Sequence, residues 1–370
     1  MTTIIEYVKN SGQFSFSDMP FNEVDALVLS QFIYLKWDRS VPGLMEGAEA
    51  VSFDEICKNM DEEFVFSDER YLKKNREFFD VIRDAARYSQ MKCNYFVNIV
   101  DETVETQFCA MVFFFPDMKP VVTFRGTDEN FIGWKEDFNM ALMKPTLGQH
   151  LSVLYLKQAA AHFPGSFYVC GHSKGGNLAV YSSIRAKEEL RDRIVKIYSF
   201  DGPGFRPEVV NTEEYERISH KIVKLCPHSS LIGMLLENRG DYEVVDSYNV
   251  GATQHDPFSW KIEENHVKRV SRMDRGRLLK SESFNQWLLQ LNDHQLAVFV
   301  ETVFDILKES GIKTTIEFQE DMHNNLNKVI SLGIKMTPEL KNDLIEMSKE
   351  YFEILYGNLK ERLFDKKEDD

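Results

Sequence analysis

Apolar residues change their spacing twice along the chain, and the changes divide it into three zones. From residue 1 to about 90 they recur at intervals of three and four, the helical period. Val24, Leu27, Val28, Phe32 and Leu35 mark one such stretch, Phe21 to Trp37, which the Pro42-Gly43 pair follows as a breaker. Phe78, Phe79, Ile82 and Ala86 mark a second, Tyr71 to Arg87.

Between about 91 and 272 the apolar residues bunch into short β-rich runs. YFVNIV from Tyr95, FCAMVFFF from Phe108 and PVVTF from Pro120 come in close series. SFYVC from Ser166, RIVKIYSF from Arg193, HKIVKLC from His220 and DYEVVDSY from Asp241 follow as further strands. Helical patterns separate some of them, at Gln149 to His162 and Asn177 to Leu190. Strands alternating with helices predict a mostly parallel sheet covered on both faces, and the closely spaced first strands predict an antiparallel edge. From Met273 onward the helical period returns, with Leu296, Phe299, Val300, Val303, Phe304 and Leu307 on one face. Thr337-Pro338 reads as the cap and first position of a later helix. The expected organisation is a helical segment packed on the core (1–90), an α/β core (91–272) and a C-terminal helical region (273–370).

Composition narrows the function classes. A formal net charge of −15 over 370 residues repels nucleic acid, and no basic stripe offsets it. The most apolar run, Cys109 to Phe115, is too short to cross a bilayer as a helix. Met1 to Asn10 lacks a basic stretch followed by an apolar one, so no secretory signal is read. Five cysteines without a CxxC pair argue against a zinc site or a disulfide scaffold, and suit a cytoplasmic setting.

The chemistry concentrates in VCGHSKGGNLAVY, Val169 to Tyr181. Gly171-His172-Ser173-Lys174-Gly175 is a G-x-S-x-G pattern between a β-rich run and a helical one. In that context the serine sits on a sharp turn with its hydroxyl above the sheet, and the helix points its positive end at a developing oxyanion. Arg125-Gly126-Thr127 ends an earlier strand, where a turn can aim a backbone amide at the same oxyanion. The amide of Lys174 is the second candidate donor.

These segments resemble the class 3 lipases. Their arginine–glycine–serine/threonine motif, with a tryptophan and then an aspartate three residues on, is similar to Arg125-Gly126-Thr127 with Trp134 and Asp137. Their glycine–histidine–serine–x–glycine–glycine elbow matches Gly171 to Gly176. The chain more closely resembles an uncharacterised, lipase-like bacterial family carrying GHSKGGN and QHDPFSW segments. The resemblance covers roughly residues 15 to 270, and its specific motifs lie near 125, 173 and 255. It implies an α/β-hydrolase fold, Thr127 as an oxyanion residue, and a lid over Asp128 to Met140. Phe131, Ile132 and Trp134 read equally as an apolar entrance or as core.

Lys174 stands where the lipases usually carry leucine. Its side chain is either a feature favouring an anionic substrate or a solvated or ion-paired lysine. For the base, His228, His255 and His266 follow the serine in the order that the fold expects, and His255 in GATQHDPFSW has the best loop position. Ser229 and Ser230 occupy the place after HKIVKLC where the lipases carry their acid. Asp201, one strand earlier in SFDGPGF, is the replacement, as in the pancreatic-type lipases that this segment resembles; Asp241 and Asp246 are fallbacks. Asp201-Gly202 also reads as a simple turn pair.

Three functions stay open. The first is hydrolysis of a small acyl ester or lipid through an acyl-enzyme on Ser173, with no metal or cofactor required. The second is a binding or scaffold protein on a hydrolase fold, and the third a serine peptidase. Contact between Asp201 and His255 discriminates the first from the second. Oligomeric state is not readable.

Overall fold

The computed structural model describes residues 2–67, 71–101, 103–104, 106–128, 145–230, 232–239, 242–292, 294–295, 297–302, 349–356 and 358. The chain forms two compact units, Met1–Thr127 with Leu147–Met273, and Asp128–Thr146 with Asp274–Asp370.

The first unit opens with helices α1 (Ile4–Ser11) and α2 (Glu23–Phe32), the short strand β1 (Val51–Ser52), and helices α3 (Phe53–Asn59), α4 (Glu62–Val65), α5 (Leu72–Asp84) and α6 (Ala86–Ser89). Strands β2 (Lys92–Asp101), β3 (Thr106–Phe115) and β4 (Met118–Phe124) follow in close succession. Helix α7 (Leu147–Ala161), strand β5 (Phe167–His172), helices α8 (Lys174–Ile184) and α9 (Glu188–Arg193), and strand β6 (Ile194–Phe200) make the central crossovers. Helices α10 (Pro207–Val210) and α11 (Glu213–Ser219) lead to β7 (Ile222–Pro227) and β8 (Glu243–Val245), and a small ribbon pairs β9 (Ile262–Glu263) with β10 (His266–Val267).

The sheet runs β1-β2-β3-β4-β5-β6-β7-β8. Its pairs are antiparallel as far as β4 and parallel from β4 to β8. This is the α/β-hydrolase arrangement, with an antiparallel entry and a parallel core whose C-terminal ends carry the loops.

Burial explains why the strand runs are apolar without interruption. Along β3, Cys109, Met111, Phe113 and Phe115 belong to one hydrophobic cluster, and Phe108, Ala110 and Val112 to another. The first cluster holds residues of α1, α2 and α5, including Ile4, Leu27 and Phe79; the second holds residues of α7 and α8, including Leu156 and Leu178. Successive side chains of a strand point to opposite faces, so a strand covered on both sides must be apolar at every position.

Several elements depart from the sequence expectation, among them the helix expected over Tyr71 to Arg87, which is α5 and α6. The helix expected over 177–190 is two helices, and the first begins at Lys174 because the turn at Ser173 forces two low-propensity glycines into the first helical turn. DYEVVDSY contributes only Glu243–Val245 to the sheet. Helix α2, read from apolar spacing over Phe21 to Trp37, is buried at every position, Glu23, Asp25, Ser30 and Gln31 included. Asp25 tolerates burial because Arg87 pairs with it at 2.6 Å, and the hydroxyls of Tyr7 and Tyr88 donate to it at 3.2 and 2.8 Å.

In the second unit, helix α12 (Arg275–Gln290) buries Trp287, whose ring meets Phe284, Phe299 and Tyr351 at centroid distances of 5.4, 5.2 and 5.9 Å. Leu296, Val303, Phe304, Leu307 and the Thr337-Pro338 cap lie outside the described residues.

Candidate active site

Ser173 is the first residue beyond β5. Its φ of 58° and ψ of −131° put it in a region costly for a residue with a side chain, by about 1–3 kcal/mol. The strain is held because its amide donates to the Phe200 carbonyl at 2.9 Å and helix α8 starts at the next residue. The glycines around it are steric requirements. A Cβ at Gly171 would overlap the backbone of Gly175, and a Cβ at Gly175 would overlap the Phe124 carbonyl at the end of β4.

Those contacts bring β4 and its following residues against the elbow. A Cβ at Gly126 would strike the Tyr34 hydroxyl and stand 2.9 Å from the Ser173 Cβ. The next residue, Thr127, is buried, as is Lys174 at the first position of α8. The first amides of a helix have no acceptor within the helix, which suits them to binding an oxyanion. The Lys174 side chain turns away into the protein: it is 1% exposed, and its ammonium donates to the Gln107 carbonyl of β3 at 2.7 Å. Burial at this depth rules out a solvated lysine.

His255 Nε2 lies 3.0 Å from Ser173 Oγ, and His255 Nδ1 lies 2.7 Å from Asp201 Oδ2. Asp201 is fully buried, while the His255 side chain keeps 30% of its surface. The structure therefore brings together Ser173, His255 and Asp201, with Thr127 and Lys174 alongside the serine. Of the alternative bases, His228 lies against the Gln254 amide at 3.2 Å, and His266 lies 3.8 Å from Glu23. Asp246 pairs with Lys261 at 3.0 Å, and Asp241 lies outside the described residues. Phe131, Ile132 and Trp134 also lie outside them.

Several supporting residues were not singled out for these roles by the sequence. Ser230, which stands where the lipase acid is expected, donates to Asp201 Oδ1 at 2.5 Å. Its own Oγ accepts the Gly233 amide at 2.9 Å. The Gly233 carbonyl accepts from Asn238 at 3.1 Å, and the Asn238 side-chain oxygen accepts from the Lys224 ammonium. Two hydrogen-bonded segments thus meet at Gly233, one from buried Lys224 and one from the Ser173 hydroxyl. Burial lowers the pKa of Lys224, against the opposing influence of Cys226 and Asp201. Burial also pushes the Cys226 thiol up to about 12, so that it stays a thiol.

Asn177, the last residue of GHSKGGN, donates to the carbonyls of Pro203 and Gly204 at 3.2 and 2.9 Å, tying α8 to the loop behind Asp201. The histidine loop has its own anchors. Gln254 is fully buried, accepts the Ser229 amide at 2.9 Å and receives the Trp260 indole on its carbonyl at 2.8 Å. Asp256 pairs with Lys74 of α5 at 2.9 Å. Asp256 carries a signal visible in sequence, since it adjoins His255 and precedes a proline, which reads as a loop-structuring residue. The serine at 230 carries none.

Among the described residues, no group of three or more His, Cys, Asp or Glu has metal-binding geometry, and no helix is long and apolar enough to cross a membrane.

Residues 82–305 match the family model described as Mbeg1-like. Among solved structures, the M37 lipase is similar at 16% identity, with 58% of this chain and 70% of that chain covered and a TM-score of 0.35. No curated protein matches the sequence.

Proposed function

The chain belongs to the Mbeg1-like family, a lipase-like family, and we propose that it is a serine hydrolase that cleaves a carboxylic ester, a lipid or a small acyl ester, through an acyl-enzyme. The observation that carries this reading is the pair of contacts on His255, 3.0 Å to Ser173 Oγ and 2.7 Å to Asp201. A scaffold protein would have no need to hold a serine in a strained turn while a buried carboxylate holds the facing histidine.

The mechanism draws on side chains, amides and water. Ser173 Oγ attacks the ester carbonyl as its proton passes to His255 Nε2. Asp201 accepts the Nδ1 hydrogen, fixes the tautomer that leaves Nε2 basic, and stabilises the imidazolium. The amides of Thr127 and Lys174 take the oxyanion, reinforced by the positive end of α8. His255 then protonates the leaving alcohol, and water activated by the same imidazole releases the acyl group. The five cysteines form no disulfide with one another, which suits a reducing compartment such as the cytoplasm.

The test is covalent labelling with a fluorophosphonate, which reacts with activated serines. Wild type is expected to label, and Ser173→Ala and His255→Ala are expected not to. Folded wild type that stays unlabelled, or a Ser173→Ala protein that labels equally, would remove the reading.

A further inference from the structure

The elbow histidine, His172, faces away from the Ser173 hydroxyl. It is 5% exposed, so the fold keeps a polar ring inside and bonds both of its nitrogens. Nε2 lies 2.9 Å from the backbone carbonyl of His255, and Nδ1 lies 3.1 Å from the Tyr34 hydroxyl. Its ring also packs on the His255 ring, with centroids 4.6 Å apart and planes tilted by 35°. A carbonyl oxygen only accepts, so Nε2 carries the proton. Nδ1 of that neutral ring then accepts from Tyr34.

We propose that His172, held in one tautomer by the His255 carbonyl and seated by Tyr34, is the positioning residue for His255, fixing both the backbone and the ring face of the base. The proposal rests on the reading of His255 as the base. Three features support it. His255 ends a short 3₁₀ turn, Gly251–His255, so its backbone has no long element to hold it. Its neighbours Gln254 and Asp256 are bonded through their side chains, and the His172 bond holds the carbonyl of residue 255 itself. Tyr34, a residue beyond the end of α2, also occupies the space that a side chain at Gly126 would need. One hydroxyl thus touches the oxyanion segment and, through His172, the base. This ties two separate parts of the site to the helical layer at the start of the chain.

His172 touches no reacting atom, so its effect must appear as misalignment of His255. Misplacement of a catalytic group by about 1 Å costs on the order of a hundredfold in rate. The experiment compares full-length wild type, His172→Phe, His172→Gln and Tyr34→Phe. Fluorophosphonate labelling is resolved into its maximal rate and its half-saturating concentration, and thermal unfolding is followed in parallel. Phenylalanine keeps the ring but loses the donor, whereas glutamine carries an amide donor near the position of Nε2. The expected result is a maximal rate lowered roughly ten- to a hundredfold in His172→Phe, with half-saturation unchanged and substantial rescue in His172→Gln. Tyr34→Phe should fall between wild type and His172→Phe.

Equal rates in wild type and His172→Phe would overturn the proposal while leaving Ser173 as the nucleophile. So would losses that follow thermal stability alone, or a glutamine variant no better than phenylalanine. An unlabelled wild type would instead remove the hydrolase reading and this proposal with it. Nitrogen-15 NMR of histidine-labelled protein tests the tautomer independently. The Nε2–H form of His172 is expected in wild type, and an Nδ1–H form in wild type would overturn the proposal whatever the labelling shows.

Discussion

The ends of β5 and β6 are built alike and used differently. Ser173 and Asp201 are each the first residue beyond their strand. Each has a positive φ, 58° and 49°, although neither is glycine. Each extends the parallel ladder by one bond, Ser173 to the Phe200 carbonyl at 2.9 Å and Asp201 to the Leu225 carbonyl at 2.8 Å. Each has a buried lysine close by in the chain or sheet, Lys174 bonded to Gln107 and Lys224 to Asn238. Beyond this point they diverge. Ser173 leads directly into a helix and keeps 6% of its surface. Asp201 leads into Gly202-Pro203-Gly204, loses all of its surface, and meets Ser230 on one oxygen and His255 on the other. The same strand ending holds a hydroxyl that keeps a little of its surface on one side and a fully enclosed carboxylate on the other. The segment after each strand, helix or loop, decides between the two.

If that division is right, the sharpest break comes at the orienting charge. Asp201→Asn keeps the shape but turns an acceptor into a donor toward His255 Nδ1. The histidine then carries its proton on Nε2 and cannot take the serine proton. Ester turnover is expected to fall by about 10⁴-fold, with the unfolding midpoint little changed. A loss of less than tenfold would mean that another carboxylate holds the base.

The next effect lies on the nucleophile side, in folding. Gly175→Ala drives a Cβ into the Phe124 carbonyl, and backbone cannot yield as a flexible side chain does. A destabilisation of about 3 kcal/mol is expected from such overpacking, measured by chemical denaturation. A neutral result would mean that the elbow is looser than its contacts imply.

The two strand endings also differ in how far they were legible in the sequence. The elbow is local. Gly171 and Gly175 are four residues apart and pack on each other, so the motif carries its own geometry. Asp201 was visible as the polar end of an apolar run, and His255 as a loop histidine after the last core run. Their supports were not visible. Tyr34 and His172 are 138 positions apart, and Ser230 and Asp201 are 29 apart. Nothing in the local pattern of either pair signals the contact. The bond of the Lys174 side chain was not legible for the same reason, since its acceptor Gln107 lies 67 residues earlier. The burial of Asp25 was invisible because its partner Arg87 comes from another helix, 62 positions on. Periodicity reports which face of an element is apolar, and cannot report a polar residue whose partner arrives from elsewhere.

Smaller effects sharpen the acid side. Ser230→Ala removes the donor on Asp201 Oδ1 and leaves that oxygen buried with one partner fewer. A bond to a charged group is worth about 1.5–3 kcal/mol. Part of this loss should appear as lower stability and part as slower turnover, roughly tenfold if half of it reaches the transition state. Unchanged turnover would confine Ser230 to folding. It would also make His255 the only contact through which the Asp201 carboxylate bears on the reaction.

The smallest effect is a slope. Lys224 ends one of the two hydrogen-bonded segments that meet at Gly233, and burial holds its pKa below the ordinary 10.5 in the folded protein. The folded state therefore releases this proton at lower pH than the unfolded chain. Below the folded value both states are protonated, and the cost of burying the charge is present in full. Between the folded value and 10.5 the unfolded chain holds more protons, so stability rises with pH across that window. Lys224→Met has no such group, and every other titration is shared. The stability of wild type relative to Lys224→Met should therefore climb as pH rises from neutrality toward 10.5. Denaturation series at stepped pH read this directly. A flat difference would mean that the ammonium keeps its ordinary affinity for its proton, with Asp201 offsetting the whole cost of burial. The acid-side lysine would then be held by charge.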